Sequence, residues 1–199
     1  PSKHLIKRRH AEALGYRMLT IWEDEWRDNR PKVQALLDRV LGLVVPVPIM
    51  ARKCAIKPLA WPEARDFHAA HHLQDAGNGQ SHGYGLFLGG QLLSVASIRK
   101  TGTDLDRYTV RPDFNVAGGL AKLIAAHRRA TGVRQIVTYC DRDHFTGDCY
   151  RLAGFKQEGR SLHLSYLVGA HRVSRHRFMK HKAPSNFPGV DLDMSLTEV

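Results

Sequence analysis

The segment Val44-Val45-Pro46-Val47-Pro48 constrains the fold of this chain more than any other stretch. Each proline lacks an N–H, fixes its own φ and biases the residue before it toward extended backbone, so no helix can run through. Just upstream, Pro31 suits a first helical turn. Val33, Leu36, Leu37, Val40 and Leu41 then fall at i, i+3, i+4, i+7 and i+8. That spacing predicts one amphipathic helix, closed by Gly42. The prolines after it read as an extended linker, and a domain boundary is expected over residues 44–50. A chain of 199 residues has room for one good core and a small appendage.

On the N-terminal side, Ser2 to Leu14 reads as a basic helix stopped by Gly15, Tyr16 to Trp22 as a β-rich run, and Glu23-Asp24-Glu25 as an acidic turn. On the other side a short strand is expected near Cys54-Ala55-Ile56, followed by a helix from Trp61-Pro62-Glu63 to about His72. A polar loop, Asp75 to Gly83, separates it from the strand Tyr84 to Leu88. Gly89-Gly90 is a hairpin signal leading into Gln91 to Ile98. Further strands are expected near Asp106 to Arg111, at Arg134 to Cys140 and at Ser161 to Val168. Between them lie an amphipathic helix opened by Gly118-Gly119 and ended by Gly132, and a short helix at Gly147 to Leu152. The order β-α-β-β-β-α-β-α-β predicts an α/β layer with a mixed sheet.

Charge narrows the partners. Thirty Lys and Arg against nineteen Asp and Glu leave a formal +11, a field that attracts polyanions, among which nucleic acid is the commonest. The cations are clustered: Lys3, Lys7, Arg8 and Arg9 at the start, and Arg172, Arg175, Arg177, Lys180 and Lys182 in an acid-free run with Phe178 as a candidate stacking side chain. No apolar run approaches a membrane span, because Leu41 to Ala51 is broken by Gly42, Pro46 and Pro48, and the first ten residues do not read as a signal peptide. Cys54, Cys140 and Cys149 are an odd number without paired spacing, which argues for reduced thiols in a cytoplasmic compartment and against a zinc site.

Two stretches carry a family likeness. Lys3-His4-Leu5-x-Lys7, followed by Gly15-Tyr16-Arg17-Met18-Leu19-x-Ile21-Trp22-Glu23-Asp24-Glu25-Trp26, resembles the C-terminal part of the very-short-patch-repair-like (EDxHD) nuclease fold of phage homing endonucleases. The resemblance implies a small helix-strand-helix remnant over residues 1–43, with His4, Glu23 and Glu25 at family positions. Such nucleases hold a divalent metal, Mg2+ here, against a phosphodiester. The family's metal-binding Asp belongs to a strand that would precede Pro1. The expectation for this chain is therefore no metal site, with Glu23 to Glu25 a solvated turn.

Residues 50–168 resemble the C-terminal half of the same phage proteins and, more distantly, the Mom-type DNA-modifying branch of the GNAT acyltransferases. The likeness runs through Ala51-Arg52-Lys53-Cys54-x-Ile56-Lys57, Phe67-x-x-x-His71-His72-Leu73-Gln74, Tyr84-Gly85-Leu86-Phe87, Thr138-Tyr139-Cys140-Asp141-Arg142 and Tyr150-Arg151-Leu152-Ala153-Gly154-Phe155. It implies a GNAT-like domain over residues 51–170, a mixed sheet flanked by helices, followed by a basic tail over residues 171–199. It also implies acetyl-CoA or another acyl-CoA, its pyrophosphate held by backbone N–H groups of Gly118, Gly119, Leu120 and Ala121 at a helix start. Val116 stands where that family has Gln or Arg.

Catalytic positions carried over are Tyr150, to protonate a departing thiolate, Asp141 at a strand end, and His71 or His72, to deprotonate an amine. Each has a structural alternative: Asp141 as a turn cap, His72 as a helix-end residue, Tyr150 as core. A DNA base would have to be extruded first, with Phe114, Tyr139 and Phe145 available to flank it and Arg142 with the 172–182 run holding phosphates. Two functions stand open at this point: acyl transfer from acyl-CoA to a DNA base, or DNA cleavage or binding by a homing-endonuclease relative whose GNAT-like part only aids target binding.

Overall fold

A computed structural model describes residues 3–77, 82–168, 171–174 and 193–198. The chain divides into two compact units. The first comprises Pro1–Arg30, Cys140–Gly147 and Gln157–Val199; the second comprises Pro31–Tyr139 and Asp148–Lys156. The boundary therefore falls at residue 30, ahead of the proline segment. Residues 140–147, expected inside the GNAT-like domain, return to the first unit.

The first unit opens with α1 (Lys3–Ala13), α2 (Glu23–Asp28) and the first residue of α3 (Arg30–Val40). Gly15, at φ +82°, ends α1 in a left-handed cap: its N–H donates to Glu12 O at 3.0 Å and the Tyr16 N–H to Ala11 O at 2.9 Å. These are the two bonds of a Schellman motif. Tyr16 to Trp22 forms no strand, contrary to the helix-strand-helix expectation. The segment is extended, but residues 141–144 take the place of a β partner. The Thr20 N–H donates to Asp143 O at 3.1 Å and the Arg17 guanidinium to His144 O at 2.8 Å.

Residues 171–199, expected as a basic tail, instead supply two strands. β7 (Leu162–Val168) pairs antiparallel with β8 (His171–Ser174) on one side and β9 (Asp193–Glu198) on the other. Arg175, Arg177, Phe178, Lys180 and Lys182 lie outside the described residues.

The second unit is a mixed α/β layer. Its four-stranded sheet has the order β2 (Ala55–Leu59), β3 (His82–Leu88), β4 (Gln91–Ile98), β5 (Leu105–Val110), antiparallel throughout. Gly89 and Gly90 both have positive φ and join Leu88 to Gln91, as the hairpin signal predicts. The proline segment does not stay a linker. β1 (Val47–Met50) pairs in parallel with β6 (Phe114–Ala117), and Pro48 is tolerated because this two-stranded pair leaves an open edge. Arg134 to Cys140, expected as a strand, makes only one isolated parallel bridge, Asp104 to Val137.

Strand alternation gives the sheet two different faces. On one, Val95 and Leu59 pack against Ala64 and Phe67 of α4 (Trp61–His71). On the other, Leu86, Ala96 and Ile98 pack against Leu120, Leu123 and Ile124 of α5 (Gly119–Thr131), with Tyr150 of α6 (Asp148–Leu152) and Phe155 alongside. The stripe predicted for α5 is the buried one. Its His127 is buried too, with Nε2 2.7 Å from Gly102 O. The three cysteines are free thiols. No helix among the described residues is long and apolar enough to cross a membrane.

Candidate functional site

Three places collect the chemistry-bearing residues. The densest is in the first unit, where Asp141-Arg142-Asp143-His144 forms a tight turn. Asp141 Oδ1 accepts the Asp143 N–H at 2.9 Å, and Oδ2 lies 2.8 Å from His144 Nδ1. The other ring nitrogen of His144 is 3.0 Å from Glu25 Oε2, the oxygen that also accepts the Trp22 N–H at the start of α2. Arg172 completes the chain of charges, donating to Glu25 Oε1 at 2.7 Å and to Asp24 at 2.9 Å. Beside it the buried Arg8 meets Asp143 at 2.6 Å, and the Trp22 indole N–H donates to the other oxygen of Asp143 at 3.1 Å.

Electrostatics follow from that geometry. Burial opposes a charge on His144, yet hydrogen bonds and charges of Asp141 and Glu25 outweigh it and hold the imidazole up to about 9. An imidazolium is therefore the resting form. Burial also pushes Glu25 up, but His144, Arg172 and the Trp22 N–H together bring its carboxyl below the usual range. Asp143 is raised, because burial exceeds the help of Trp22 and Arg8.

These residues do not form a metal site of the nuclease kind. Both oxygens of Glu25 face cations or N–H donors, Asp24 is held by Arg172, Glu23 points to solvent, and the His4 ring packs edge-on against Trp22, 5.0 Å between centroids. Among the described residues no group of three or more His, Cys, Asp or Glu side chains is disposed to hold a metal. The donor set does not suit Mg2+.

The second place is the start of α5. Gly118 is exposed and left-handed at φ +76°, and no side chain caps the helix. Because Met50 pairs with Ala117, the turn Ala51–Lys53 leaves the sheet beside Gly118, and Lys122 clamps it there by donating to Ala51 O and Cys54 O at 2.9 and 2.7 Å. Arg52 and Lys53 are exposed on that turn. An exposed left-handed glycine at a helix start, with the exposed Arg52 and Lys53 on the turn that begins beside it, suits an anion. Gly119 serves the interior instead. A Cβ there would lie 2.7 Å from the Tyr108 hydroxyl and 3.2 Å from Val116, and that hydroxyl receives the Leu120 N–H.

The third place is the end of α4. His71 is half-buried, its ring edge-on to Phe67 at 4.8 Å, and burial with the neighbouring Arg111 charge lowers its pKa. His72 ends the helix. Its N–H donates to His68 O, and its Nδ1 accepts the Gln74 N–H at 3.1 Å. The sheet separates these two histidines from Gly118–Ala121 and Tyr150, which belong to the opposite face. Asp141 belongs to the other unit, with both oxygens engaged. Tyr150 packs against Phe155 and the apolar core, the structural role foreseen as its alternative.

Of the expected DNA-contacting residues that are described, Arg142 pairs with Glu12 at 3.1 Å and donates to Thr146 O, and Arg172 is held by Asp24 and Glu25. Phe145 and Tyr139 are exposed, while Phe114 is half-buried under Arg111. Sequence reasoning missed His144, Asp143 and His68. His68 is wholly buried, 2.6 Å from both Ser97 Oγ and Thr109 Oγ1, a neutral ring bracketed by two hydroxyls. The dense titratable run 141–144 was the available signal for the first two; nothing local marks His68. No protein-family model and no curated protein sequence matches the chain.

Proposed function

We propose that this protein binds DNA, as a homing-endonuclease-like protein whose cationic surplus carries the affinity. The observation behind this reading is that the charge network of the first unit sets four carboxylates against three cations and so absorbs none of the positive excess. Asp143 faces Arg8, Asp141 and Glu25 face His144, and Asp24 faces Arg172. The +11 excess is thus not needed inside and acts at the surface. Fluorescence anisotropy with a labelled duplex tests it. Binding is expected at about 50 mM salt, weakening about a thousandfold by about 200 mM as counterions are released. Binding no better than to an uncharged polymer at low salt overturns it.

A second reading is favoured by the α5 start: a GNAT-like second unit that transfers an acyl group from acyl-CoA to a DNA base. It is supported by the element order, by helices on both faces of an antiparallel sheet, and by Arg52 and Lys53 beside the uncapped Gly118. The cofactor would supply the activated acyl group. In this chain the N–H groups at the α5 start other than that of Leu120, which the Tyr108 hydroxyl takes, would hold its pyrophosphate, with Arg52 and Lys53 screening the charge. Incubation with acetyl-CoA and DNA is then expected to yield nucleosides heavier by one acetyl group, and R52Q/K53Q to weaken acetyl-CoA binding about tenfold. Unchanged nucleoside masses leave the binding reading alone standing.

A further inference from the structure

We propose that the outward face of α1 is the surface that lies against the DNA phosphates, an assignment that rests on the DNA-binding reading above. The rotation of this helix is fixed from inside. Leu5 and Arg8 are buried, Arg8 is tied to Asp143, and the half-buried Glu12 on the same side is taken by Arg142. Residues three, four and seven apart share a helix face, so the side turned away carries Lys3, Lys7 and His10 in register. All three are exposed, as is Arg9 at the margin, and the acid of the helix itself, Glu12, lies on the other side. The basic cluster of the sequence is thereby sorted: one arginine is structural and the rest face outward.

Exposed apolar groups accompany the cations. Ile6 is 61% exposed, Leu14 62% and Tyr16, in the turn that follows, 71%. Ile6 adjoins Lys7, while Leu14 and Tyr16 extend the exposed apolar groups past the end of the helix. A helix of this kind is complementary to a duplex, with ammonium groups at phosphates and apolar tips toward sugars or base edges. An anionic membrane surface would attract the same charges. DNA is the occupant proposed here, because the chain as a whole carries a formal +11 surplus, to which Lys3 and Lys7 contribute, and α1 exposes too short a run of apolar surface to bury in lipid.

The test compares the full chain with K3Q/K7Q and with a control of equal charge loss in the second unit, K100Q/R129Q, both at exposed positions. Anisotropy on a duplex and sedimentation with phosphatidylserine-containing vesicles are read for each, with circular dichroism confirming that each is folded. Expected is a loss of duplex affinity of tenfold or more for K3Q/K7Q, with a salt slope shallower by about 2, against a change of about twofold for the control. Equal losses in both variants overturn the assignment of α1 while leaving DNA binding intact. An effect on vesicles without one on the duplex identifies a membrane face and overturns it as well. Failure of the unaltered chain to bind any duplex removes this inference together with the reading beneath it.

Discussion

Arg8→Met is expected to destabilise the first unit by about 3–5 kcal/mol, because it leaves the buried Asp143 carboxylate without its cation. Methionine preserves most of the arginine stem, so the loss reports charge and hydrogen bonding more than volume. Arg8 is 1% exposed, hence water cannot replace it at 2.6 Å from Asp143. The Trp22 indole remains as a donor to the other oxygen, but one neutral N–H does not balance a full charge. R8M/D143L, which removes both charges, is expected to recover about half of the deficit. Acid gives a second check. Asp143 is already raised by burial, and losing Arg8 raises it further above its unfolded value. A carboxyl shifted upward is stabilised folded in its protonated form, so the variant's deficit shrinks as pH falls. Urea unfolding, read by exchange of peptides from residues 3–28, measures both. A single variant within about 0.5 kcal/mol of the parent would show that the pair contributes nothing.

What could be read from the sequence was whatever a few neighbouring residues decide. Gly15 caps α1 because only a left-handed residue closes that motif, Gly89-Gly90 turns the hairpin, and Leu120, Leu123 and Ile124 declare the buried face of α5 by spacing alone. The two extended segments that formed no strands, Tyr16 to Trp22 and Arg134 to Cys140, failed for one reason: a strand needs a partner, and partners are distant in sequence. Conversely, Val47–Met50 became a strand despite Pro48 because Phe114–Ala117 lies parallel to it. The charge network escaped for the same cause. Arg8 and Asp143 are 135 positions apart, and a basic cluster gives no sign of which arginine turns inward. Among the candidate site residues, Gly118 was legible as a helix start. The grouping of His71, His72, Asp141 and Tyr150 rested on the family resemblance, whereas the sheet and the division into units distribute them.

Two of the three buried histidines among the described residues, His68 and His144, should give the units opposite responses to pH. In the second unit, burial and the charge of Arg107 outweigh Asp106 and lower His68 to about 4 from 6.5. Its neutral ring needs one donor and one acceptor, which Ser97 and Thr109 supply and an imidazolium would disturb. A folded value below the unfolded one means the unfolded chain binds the proton first. This stabilisation is therefore complete above about pH 6.5 and is lost as pH falls toward 4. In the first unit His144 is held up to about 9, so its stabilisation is complete below about pH 6.5 and is lost as pH rises through 9. At ~1.4 kcal/mol per pH unit, each step is worth about 3 kcal/mol. Urea unfolding with exchange resolved to residues 3–28 and 61–98, corrected for the intrinsic rate at each pH, separates the two responses. Acid should weaken the second set of peptides and alkali the first. H68Q should reduce the acid limb, which His71 and His127 share in the same direction, and H144Q should reduce the alkaline one. If residues 3–28 keep the same stability from pH 6.5 to 9.5, His144 is not an imidazolium held between Asp141 and Glu25, and the first unit is not organised around that charge.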